Sequence, residues 1–189
     1  MIFIPAAHPP HKVVENVIDP LFRLEMAKLA TSANPFFSVS DVELQRSGES
    51  YSVDTLHYFR ERGSDTFFFI MGTDAFLEIE TWKDYRKLFS LCNFIVMTRP
   101  GSGEIPASAR LPKGLVSVFR YEPEGGLWRH ESGHTLHFRE IAFLDISSTR
   151  IRELIEKGRS VKYLVPPEVE AYIECHGLYQ WKRVAVDTF

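Results

Sequence analysis

Residues 67–74 read Phe67-Phe68-Phe69-Ile70-Met71-Gly72-Thr73-Asp74 and decide the fold of this chain of 189 residues. The five apolar residues at the start are typical of a strand in a parallel sheet that has helices on both faces. Gly72 ends this strand, and a short helix is expected to begin at Thr73-Asp74. The stretch therefore predicts one strand–turn–helix unit of an α/β protein.

Strands and helices alternate on both sides of this stretch. Strands are expected at 2–4, 36–39, 67–71, 94–98, 116–119 and 135–138, with a loop joining the last two. Helices are expected at 21–29, 52–62, 84–90 and 147–157, and from Pro166-Pro167 to Gly177. This order predicts an α/β fold with a doubly wound, Rossmann-like parallel sheet and a small C-terminal helical part.

The composition predicts a single packed domain over residues 1–189, because 44% of the residues are hydrophobic and 13% are aromatic. A net charge of −3 argues against a non-specific nucleic-acid binder. The sequence shows neither a secretory signal nor an apolar run long enough for a membrane span, so a cytoplasmic location is expected. Cys92 and Cys175 lie in apolar segments and are expected to be buried free thiols.

The segment Asp145-Ile146-Ser147-Ser148-Thr149-Arg150-Ile151-Arg152 begins the helix predicted at 147–157. Helix starts prefer Asp or Glu because the exposed amides make this end positive, yet here the first turn offers hydroxyls and two arginines. A phosphate at the helix N-terminus explains this composition, and only one of Arg150 and Arg152 need bind it. A solvated helix capped by Ser147 or Ser148, with surface arginines, is the alternative.

Two further features follow the strand at 67–71. Gly72 lets a ligand approach the backbone, and Asp74 either holds sugar hydroxyls or simply caps the next helix. Trp82 follows this short helix and either stacks on a flat ring of a ligand or belongs to the core. The sequence leaves both pairs of interpretations open.

Histidines raise two other hypotheses. His11-Lys12 follow the strand at 2–4 and suit a phosphate, although a solvated surface pair is the simpler explanation. His130, His134 and His137 have the spacing of a metal site. However, the strand at 135–138 places His134 and His137 on opposite faces, which disfavours zinc. The sequence contains neither a Walker-type phosphate loop nor a Gly-x-Ser-x-Gly elbow.

These segments match, in order, those of one enzyme family. The matching segments are 3–5 with 9–12, 41–44, 50–56, 70–74, 81–82, 99–101, 146–152, 163–166 and 177–179, and they span essentially the whole chain. Together they resemble the bacterial nicotinate-mononucleotide adenylyltransferases. The Ser-Ser-Thr-x-Ile-Arg element marks the wider nucleotidyltransferase superfamily. The Pro-Pro-His-Lys loop and the Thr81-Trp82 pair narrow the resemblance to this enzyme.

The resemblance implies transfer of AMP from ATP to nicotinate mononucleotide, which gives deamido-NAD and pyrophosphate. Its ligands would be these two nucleotides, with Mg²⁺ accompanying ATP, and a homo-oligomer stays open. The resemblance implies that Trp82 stacks on the pyridine ring and that the backbone near Tyr51 and Ser52 receives the nicotinate carboxylate. Contacts to ATP phosphates or to the nucleotide sugars are implied for His11, Lys12, Gly72, Asp74, Arg99, Ser148, Thr149 and Arg152.

One family segment has no match in the sequence. Members of the family open with a strand, a Gly-rich turn and a His-x-Gly-His element whose histidines contact the triphosphate, so no catalytic residue is assigned here. The run His8-Pro9-Pro10-His11 has the wrong spacing and belongs to a later loop. We therefore expect the natural polypeptide to extend about 30 residues upstream of Met1, the length of a strand–loop–helix unit. Residues 1–189 alone should then turn over slowly.

Two other functions are compatible with parts of the sequence. The first is a catalytically silent nucleotide-binding protein derived from the same fold, which a stop codon immediately before Met1 would favour. The second is another transferase of the superfamily, such as the pantetheine-phosphate enzyme. The matches at Thr81-Trp82 and Tyr51-Ser52 count against this second function.

Overall fold

The computed structural model describes residues 1–10, 17–63, 66–99, 111–142 and 144–180. These residues form two compact units. The first unit comprises the beginning and the end of the chain, up to Gly48 and from Leu144, and the second runs from Glu49 to Phe143. The single nucleotidyltransferase domain over residues 1–189 stays a prediction.

The second unit is built on a five-stranded sheet. Its strands are β3 (Phe68–Gly72), β4 (Asn93–Thr98), β5 (Phe119–Glu122), β6 (Leu127–His130) and β7 (Thr135–Glu140). Their order in the sheet is β3-β4-β7-β6-β5. β3, β4 and β7 pair in parallel, whereas β5, β6 and β7 pair antiparallel. The α/β class and the predominance of parallel pairing are confirmed, and the antiparallel hairpin at one edge was not predicted.

One face of this sheet carries the core of the second unit. Met71 of β3, Phe94 of β4 and Leu136 of β7 lie in one buried layer, and the rings of Phe94 and Phe89 pack with centroids 4.4 Å apart. The opposite face is less well covered, because Phe68 is 48% exposed. The expectation that both faces of the strand at 67–71 are covered is therefore wrong for the described residues.

Helices of the second unit alternate with its parallel strands, as the sequence patterns predict. They are α2 (Ser52–Arg62), α3 (Thr73–Leu77) and α4 (Tyr85–Leu91), with a single 3₁₀ turn at Ile79–Thr81 between the last two. α2 ends at Gly63, as expected. α3 begins directly after β3, so the backbone turns from strand to helix at Gly72.

The first unit combines a two-stranded sheet with three helices. Strands β1 (Ile2–Phe3) and β2 (Ser38–Val39) pair in parallel, and the helices are α1 (Pro20–Thr31), α5 (Ser148–Glu156) and α6 (Pro167–Cys175). α1 and α6 pack through aromatic rings, with Phe22 and Tyr172 at 6.3 Å. The core consists of buried Val169, Ile173 and Leu178, with Ile18, Phe22, Met26, Leu29, Ile155, Val165, Tyr172 and Tyr179 packed against them.

Local capping explains where these helices begin and end. The Asp19 carboxylate accepts a hydrogen bond from the Leu21 amide at 2.8 Å, and Pro20 occupies the first helical position of α1. α5 and α6 are each followed by a glycine with positive φ, Gly158 at 64° and Gly177 at 59°. Glycine takes this left-handed conformation without steric cost, so both helix ends predicted from the sequence are confirmed.

Three sequence predictions are wrong, two of them in the second unit and one in the first. Residues 116–118 do not form a strand, because Lys113–Leu115 make a 3₁₀ turn and β5 starts only at Phe119. The loop expected before residue 135 contains β6. Cys92 is buried as expected, but Cys175 lies exposed at the end of α6.

Among the helices that the structure describes, none is both long enough and apolar enough to cross a membrane.

Candidate active site

The carboxyl ends of β3 and β4 bring three of the predicted site residues together. The two strands are parallel, with Gly72 opposite Met97, and the Thr73 hydroxyl donates to the Met97 carbonyl at 2.9 Å. Arg99 follows β4, and its Nη2 lies 3.5 Å from the Asp74 carboxylate. Both side chains are well exposed, so this ion pair stabilises the fold by only about 0–1 kcal/mol and can yield to a ligand.

Gly72 and Asp74 lie where a ligand could reach them. A Cβ atom built on Gly72 would meet no atom of the described residues within 4 Å, so these residues leave the space above the strand end open. Gly72 itself is the N-cap of α3, and Asp74 is the second residue of this helix. The alternative that Asp74 serves as a helix cap is therefore wrong, and its carboxylate projects 89% exposed beside the strand ends.

Trp82 has features of a core residue and also of a ring that stacks on a ligand. It directly follows the 3₁₀ turn at Ile79–Thr81, and its amide donates to the Ile79 carbonyl at 3.0 Å. The indole packs edge-on against Phe69, with centroids 6.2 Å apart, and is otherwise half-buried. One edge of the ring is fixed by the core while part of the ring remains accessible, which is the arrangement that stacking on a ligand requires.

Tyr51 and Ser52 lie at the N-terminus of α2. Tyr51 is the N-cap residue with extended backbone, and Ser52 is the first helical residue. The Tyr51 amide donates to the Glu49 carbonyl at 3.1 Å, so the first helical amides, beginning with Ser52, are those available to an anion.

Lys83 adds a positive charge at this helix start, and the sequence patterns did not indicate it. Its ammonium lies 4.3 Å from the centroid of the Tyr51 ring and 3.3 Å from the Asp54 carboxylate. These contacts bring the residue after Trp82 to the start of α2. The signal in the sequence is only a lysine next to the Thr-Trp pair.

The first turn of α5 brings two of the predicted phosphate ligands together. It contains no acidic residue, and the Ser147 hydroxyl caps it by accepting from the Arg150 amide at 3.2 Å. Arg152 Nη2 donates to the Thr149 hydroxyl at 3.1 Å, so these two predicted ligands share one face. Ser148 is the first helical residue, directly after the cap.

Arg150 has different neighbours from the Thr149–Arg152 pair. Its guanidinium forms an ion pair with Asp145 at 3.1 Å. Arg150 also lines a cavity of about 440 Å³ that runs along α5 together with Ile151 and Leu154, and neither Thr149 nor Arg152 lines this cavity. The structure thus assigns the two arginines to different surroundings, as their spacing predicts.

His11 and Lys12 lie outside the described residues, so their predicted contact with phosphates stays a prediction. The other histidine hypothesis can be examined. His130 is buried, its ring packs against Phe119 at 5.0 Å, and its Nδ1 lies 2.8 Å from the Ser132 hydroxyl. Burial lowers the pKa of His130 below its ordinary value.

His137 lies on the opposite face of the sheet from His130. Its ring neighbours Phe68 at 6.1 Å, whereas His130 is on the face of Phe89. Its Nε2 lies 2.9 Å from the Thr135 hydroxyl, and burial lowers its pKa as well. Two histidines on opposite faces of one sheet do not converge on a single metal ion.

Comparison with known proteins identifies the family of the chain. The model of the cytidylyltransferase-like family matches residues 1–154. A probable nicotinate-nucleotide adenylyltransferase of Syntrophotalea carbinolica is 45% identical over 181 residues, which is 95% of this chain and 83% of the relative. The corresponding proteins of Geobacter sp. strain M21 and Geotalea daltonii are 44% and 42% identical, with the same coverage. The chain belongs to the nicotinate-nucleotide adenylyltransferase family.

Solved structures agree with this family at the level of the fold. The Plasmodium falciparum nicotinic acid mononucleotide adenylyltransferase complexed with NaAD superposes with a TM-score of 0.65 at 20% sequence identity. The same enzyme complexed with APC gives a TM-score of 0.62 at 19% identity. Each comparison covers 94% of this chain and 81% of the other. The nucleotidyltransferase type of the Rossmann-like fold, implied by the resemblance, is thereby confirmed.

Proposed function

We propose that this protein transfers AMP from ATP to nicotinate mononucleotide, giving deamido-NAD and pyrophosphate, a step of NAD biosynthesis. The observation that carries the proposal is the identity of 42–45% to relatives named for this activity, over 95% of the chain. The geometry supports it from two sides. In the first unit, Thr149 and Arg152 share one face at the start of α5, and in the second unit a half-buried indole at Trp82 is followed by Lys83, which contacts the start of α2.

The reaction does not require a nucleophilic side chain. A phosphate oxygen of nicotinate mononucleotide attacks the α-phosphorus of ATP, a new P–O–P bond forms, and the bond to the β-phosphate breaks as pyrophosphate leaves. A phosphate is already ionised near neutral pH and is a competent nucleophile. Catalysis then consists of positioning the two nucleotides and stabilising the charge that develops around the α-phosphorus.

The start of α5 is the ATP phosphate site in this proposal. Helix amides that point at an anion favour its negative charge, and the Arg152 guanidinium adds charge-assisted hydrogen bonds. Its 3.1 Å contact with Thr149 aligns the guanidinium and the hydroxyl on one side of the helix. Ser148 adds a hydroxyl and an amide at the same turn.

The strand ends and the start of α2 hold the nucleosides in this proposal. Gly72 leaves room for a sugar, and Asp74 with Arg99 offers an acceptor and a donor for its hydroxyls and for phosphate oxygens. Trp82 stacks on the pyridine ring, and the first amides of α2, at Ser52, receive the nicotinate carboxylate. The Lys83 ammonium lies near enough to this helix start to favour the carboxylate over the neutral amide.

Mg²⁺ enters with ATP as part of the substrate. In the described part of the chain, no group of three His, Cys, Asp or Glu side chains is arranged to hold a metal ion. In this proposal the Mg²⁺ ion is held by phosphates and water and neutralises charge on the triphosphate. A cytoplasmic location belongs to the same proposal, and the free thiols Cys92 and Cys175 are compatible with a reducing compartment.

The acceptor specificity of the protein tests the proposal. Initial rates of pyrophosphate release are measured with ATP, Mg²⁺ and one of three acceptors: nicotinate mononucleotide, nicotinamide mononucleotide or pantetheine phosphate. The expected result is the highest kcat/KM with nicotinate mononucleotide, together with deamido-NAD in amounts equal to the pyrophosphate. A higher kcat/KM with pantetheine phosphate, or pyrophosphate release that needs no acceptor, would reject the proposal.

The same assay examines Lys83. Lys83→Met should lower the ratio of kcat/KM for the acid to that for the amide about threefold, because a partly exposed charge contributes roughly 0.5–1 kcal/mol. Lys87→Met is the matched control, since Lys87 pairs with Asp84 at 3.1 Å and is exposed. An unchanged ratio in Lys83→Met would show that the ammonium does not discriminate between the two nucleotides.

A further inference from the structure

The Glu80 carboxylate joins two 3₁₀ turns that are far apart in the sequence. Its Oε1 accepts a hydrogen bond from the Gly114 amide at 2.6 Å. Glu80 lies in the turn at Ile79–Thr81, and Gly114 lies in the turn at Lys113–Leu115. Both turns belong to the second unit of the chain. This hydrogen bond therefore ties one turn to the other.

The turn at Lys113–Leu115 provides a fixed support. Its last residue, Leu115, is fully buried in the core of the second unit, and the Leu115 amide donates to the Pro112 carbonyl at 3.0 Å. A fully buried side chain in a packed core has little freedom to move. The Gly114 amide therefore reaches Glu80 from a fixed position.

The close approach of the two turns depends on glycine at position 114. A Cβ atom at this position would collide with Oε1 of Glu80 and with the hydroxyl of Tyr85. The φ angle of Gly114 is not positive, so the restriction is one of space rather than of backbone conformation. The missing side chain is what lets the carboxylate reach the amide.

The turn at Ile79–Thr81 determines where the Trp82 indole lies. The Trp82 amide donates to the carbonyl of the fully buried Ile79 at 3.0 Å, and the Trp82 carbonyl accepts from the Tyr85 amide at 3.2 Å. The indole then packs edge-on against Phe69, with centroids 6.2 Å apart. A displacement of this turn therefore changes which part of the ring remains accessible.

We propose that Glu80 is a positioning residue for nicotinate mononucleotide, which acts by holding the turn before Trp82 against Gly114. Glu80 touches neither substrate, and its effect on binding passes through the indole. The inference rests on the proposed function, because stacking of Trp82 on the pyridine ring belongs to that proposal. The contact includes none of the residues assigned to ATP, so ATP binding does not depend on it.

Three substitutions separate the hydrogen bond from the charge. Glu80→Met removes both the acceptor and the charge, whereas Glu80→Gln removes the charge and keeps an Oε1 acceptor. Gly114→Ala leaves Glu80 in place but pushes its carboxylate away, and the fold tolerates this because the colliding atoms are ends of side chains. Glu78→Met is the matched control, since Glu78 is exposed and the turn uses its carbonyl, which accepts from the Thr81 amide at 2.9 Å.

Amide hydrogen exchange of residues 79–83 reports the state of the turn without any nucleotide. In Glu80→Met and in Gly114→Ala, exchange should be about fivefold faster, because the hydrogen bond no longer opposes local opening. Glu80→Gln and Glu78→Met should exchange as the wild-type protein does.

Titration calorimetry with nicotinate mononucleotide and with ATP measures the effect on binding. The Kd for nicotinate mononucleotide should rise about threefold in Glu80→Met and in Gly114→Ala, which is less than the rise in Trp82→Leu, where the stacking ring is removed. The Kd for ATP should stay at the wild-type value. Glu80→Met combined with Trp82→Leu should bind as Trp82→Leu alone does, because the two residues act in one chain of contacts.

Several results would overturn the inference. These are unchanged exchange at residues 79–83 in a folded Glu80→Met protein, faster exchange with wild-type affinity for nicotinate mononucleotide, and additive effects in the combined variant, because Glu80 would then act on the nucleotide directly. Equal losses in Glu80→Gln and Glu80→Met would assign the effect to charge and reject positioning as well. If circular dichroism shows that Glu80→Met does not fold, Gly114→Ala decides by the same criteria.

Failure of the proposed function gives a different result. A wild-type protein that does not bind nicotinate mononucleotide would reject that function and the positioning role with it. Wild-type binding together with any of the results above would reject the role of Glu80 alone.

Discussion

Replacing Arg152 by methionine should weaken ATP binding selectively. A charge-assisted hydrogen bond contributes about 1.5–3 kcal/mol, which corresponds to a factor of about 10–150 in Kd. Arg152 is half-buried and its Nη2 is shared with the Thr149 hydroxyl at 3.1 Å, so solvent screening places the expected loss near the lower limit. We therefore expect the Kd for ATP to rise about tenfold.

Stability should not account for this loss. α5 has no acidic residue in its first turn, and removing a cation from the positive end of a helix relieves repulsion. The free energy of unfolding should change by less than about 0.5 kcal/mol. Chemical denaturation of both proteins checks this expectation.

Arg150→Met is the control for this prediction. Arg150 lies two residues away on the same helix, is 60% exposed and pairs with Asp145. Isothermal titration with ATP should give a wild-type Kd for Arg150→Met and a raised Kd for Arg152→Met. The reverse order would refute the reasoning and would move the phosphate site to the cavity that Arg150 lines.

Three further predictions concern other side chains. Trp82→Leu should raise the Kd for nicotinate mononucleotide about fivefold with ATP affinity unchanged, because stacking contributes roughly 0.5–1.5 kcal/mol. If circular dichroism instead shows that Trp82→Leu does not fold, Trp82 is a core residue. Burial raises the pKa of Cys92 to about 12, so a thiol reagent at about pH 8 should modify only Cys175, and modification of a folded Cys175→Ser protein would contradict the burial. The lowered pKa of His130 means that the unfolded chain binds protons more readily, so stability should fall as the pH drops through about 6.5. Denaturation at several pH values should show a smaller fall in His130→Asn, and an equal fall would exclude His130 as the cause.

The elements whose sequence pattern is local were predictable. β3 and the turn at Gly72 follow from a continuous apolar run that ends in glycine. α2 and α6 follow from their terminal Gly63 and Gly177. The hairpin of β5 and β6 was missed although Gly125-Gly126 lies between the two strands, and Gly126 adopts a positive φ of 58°. That dipeptide is the hairpin signal that could have identified it.

The candidate site was predictable only where a motif carries it. Thr149 with Arg152 and Asp74 with Arg99 are brought together as neighbouring residues of a helix turn or of adjacent strand ends. Lys83 and Glu80 were not indicated, because their contacts join residues far apart in sequence. Lys83 meets Asp54, and Glu80 meets the Gly114 amide. Such contacts arise from tertiary packing, which no local pattern encodes.

The fate of the α-phosphate tests the central claim most directly. ATP labelled with ³²P at the α-position is incubated with the protein, Mg²⁺ and nicotinate mononucleotide, and the products are separated by chromatography. Our account predicts that the label moves into deamido-NAD and that ATP labelled at the γ-position yields labelled pyrophosphate instead. Label from the γ-position in the mononucleotide, or α-label released only as free AMP, would contradict adenylyl transfer.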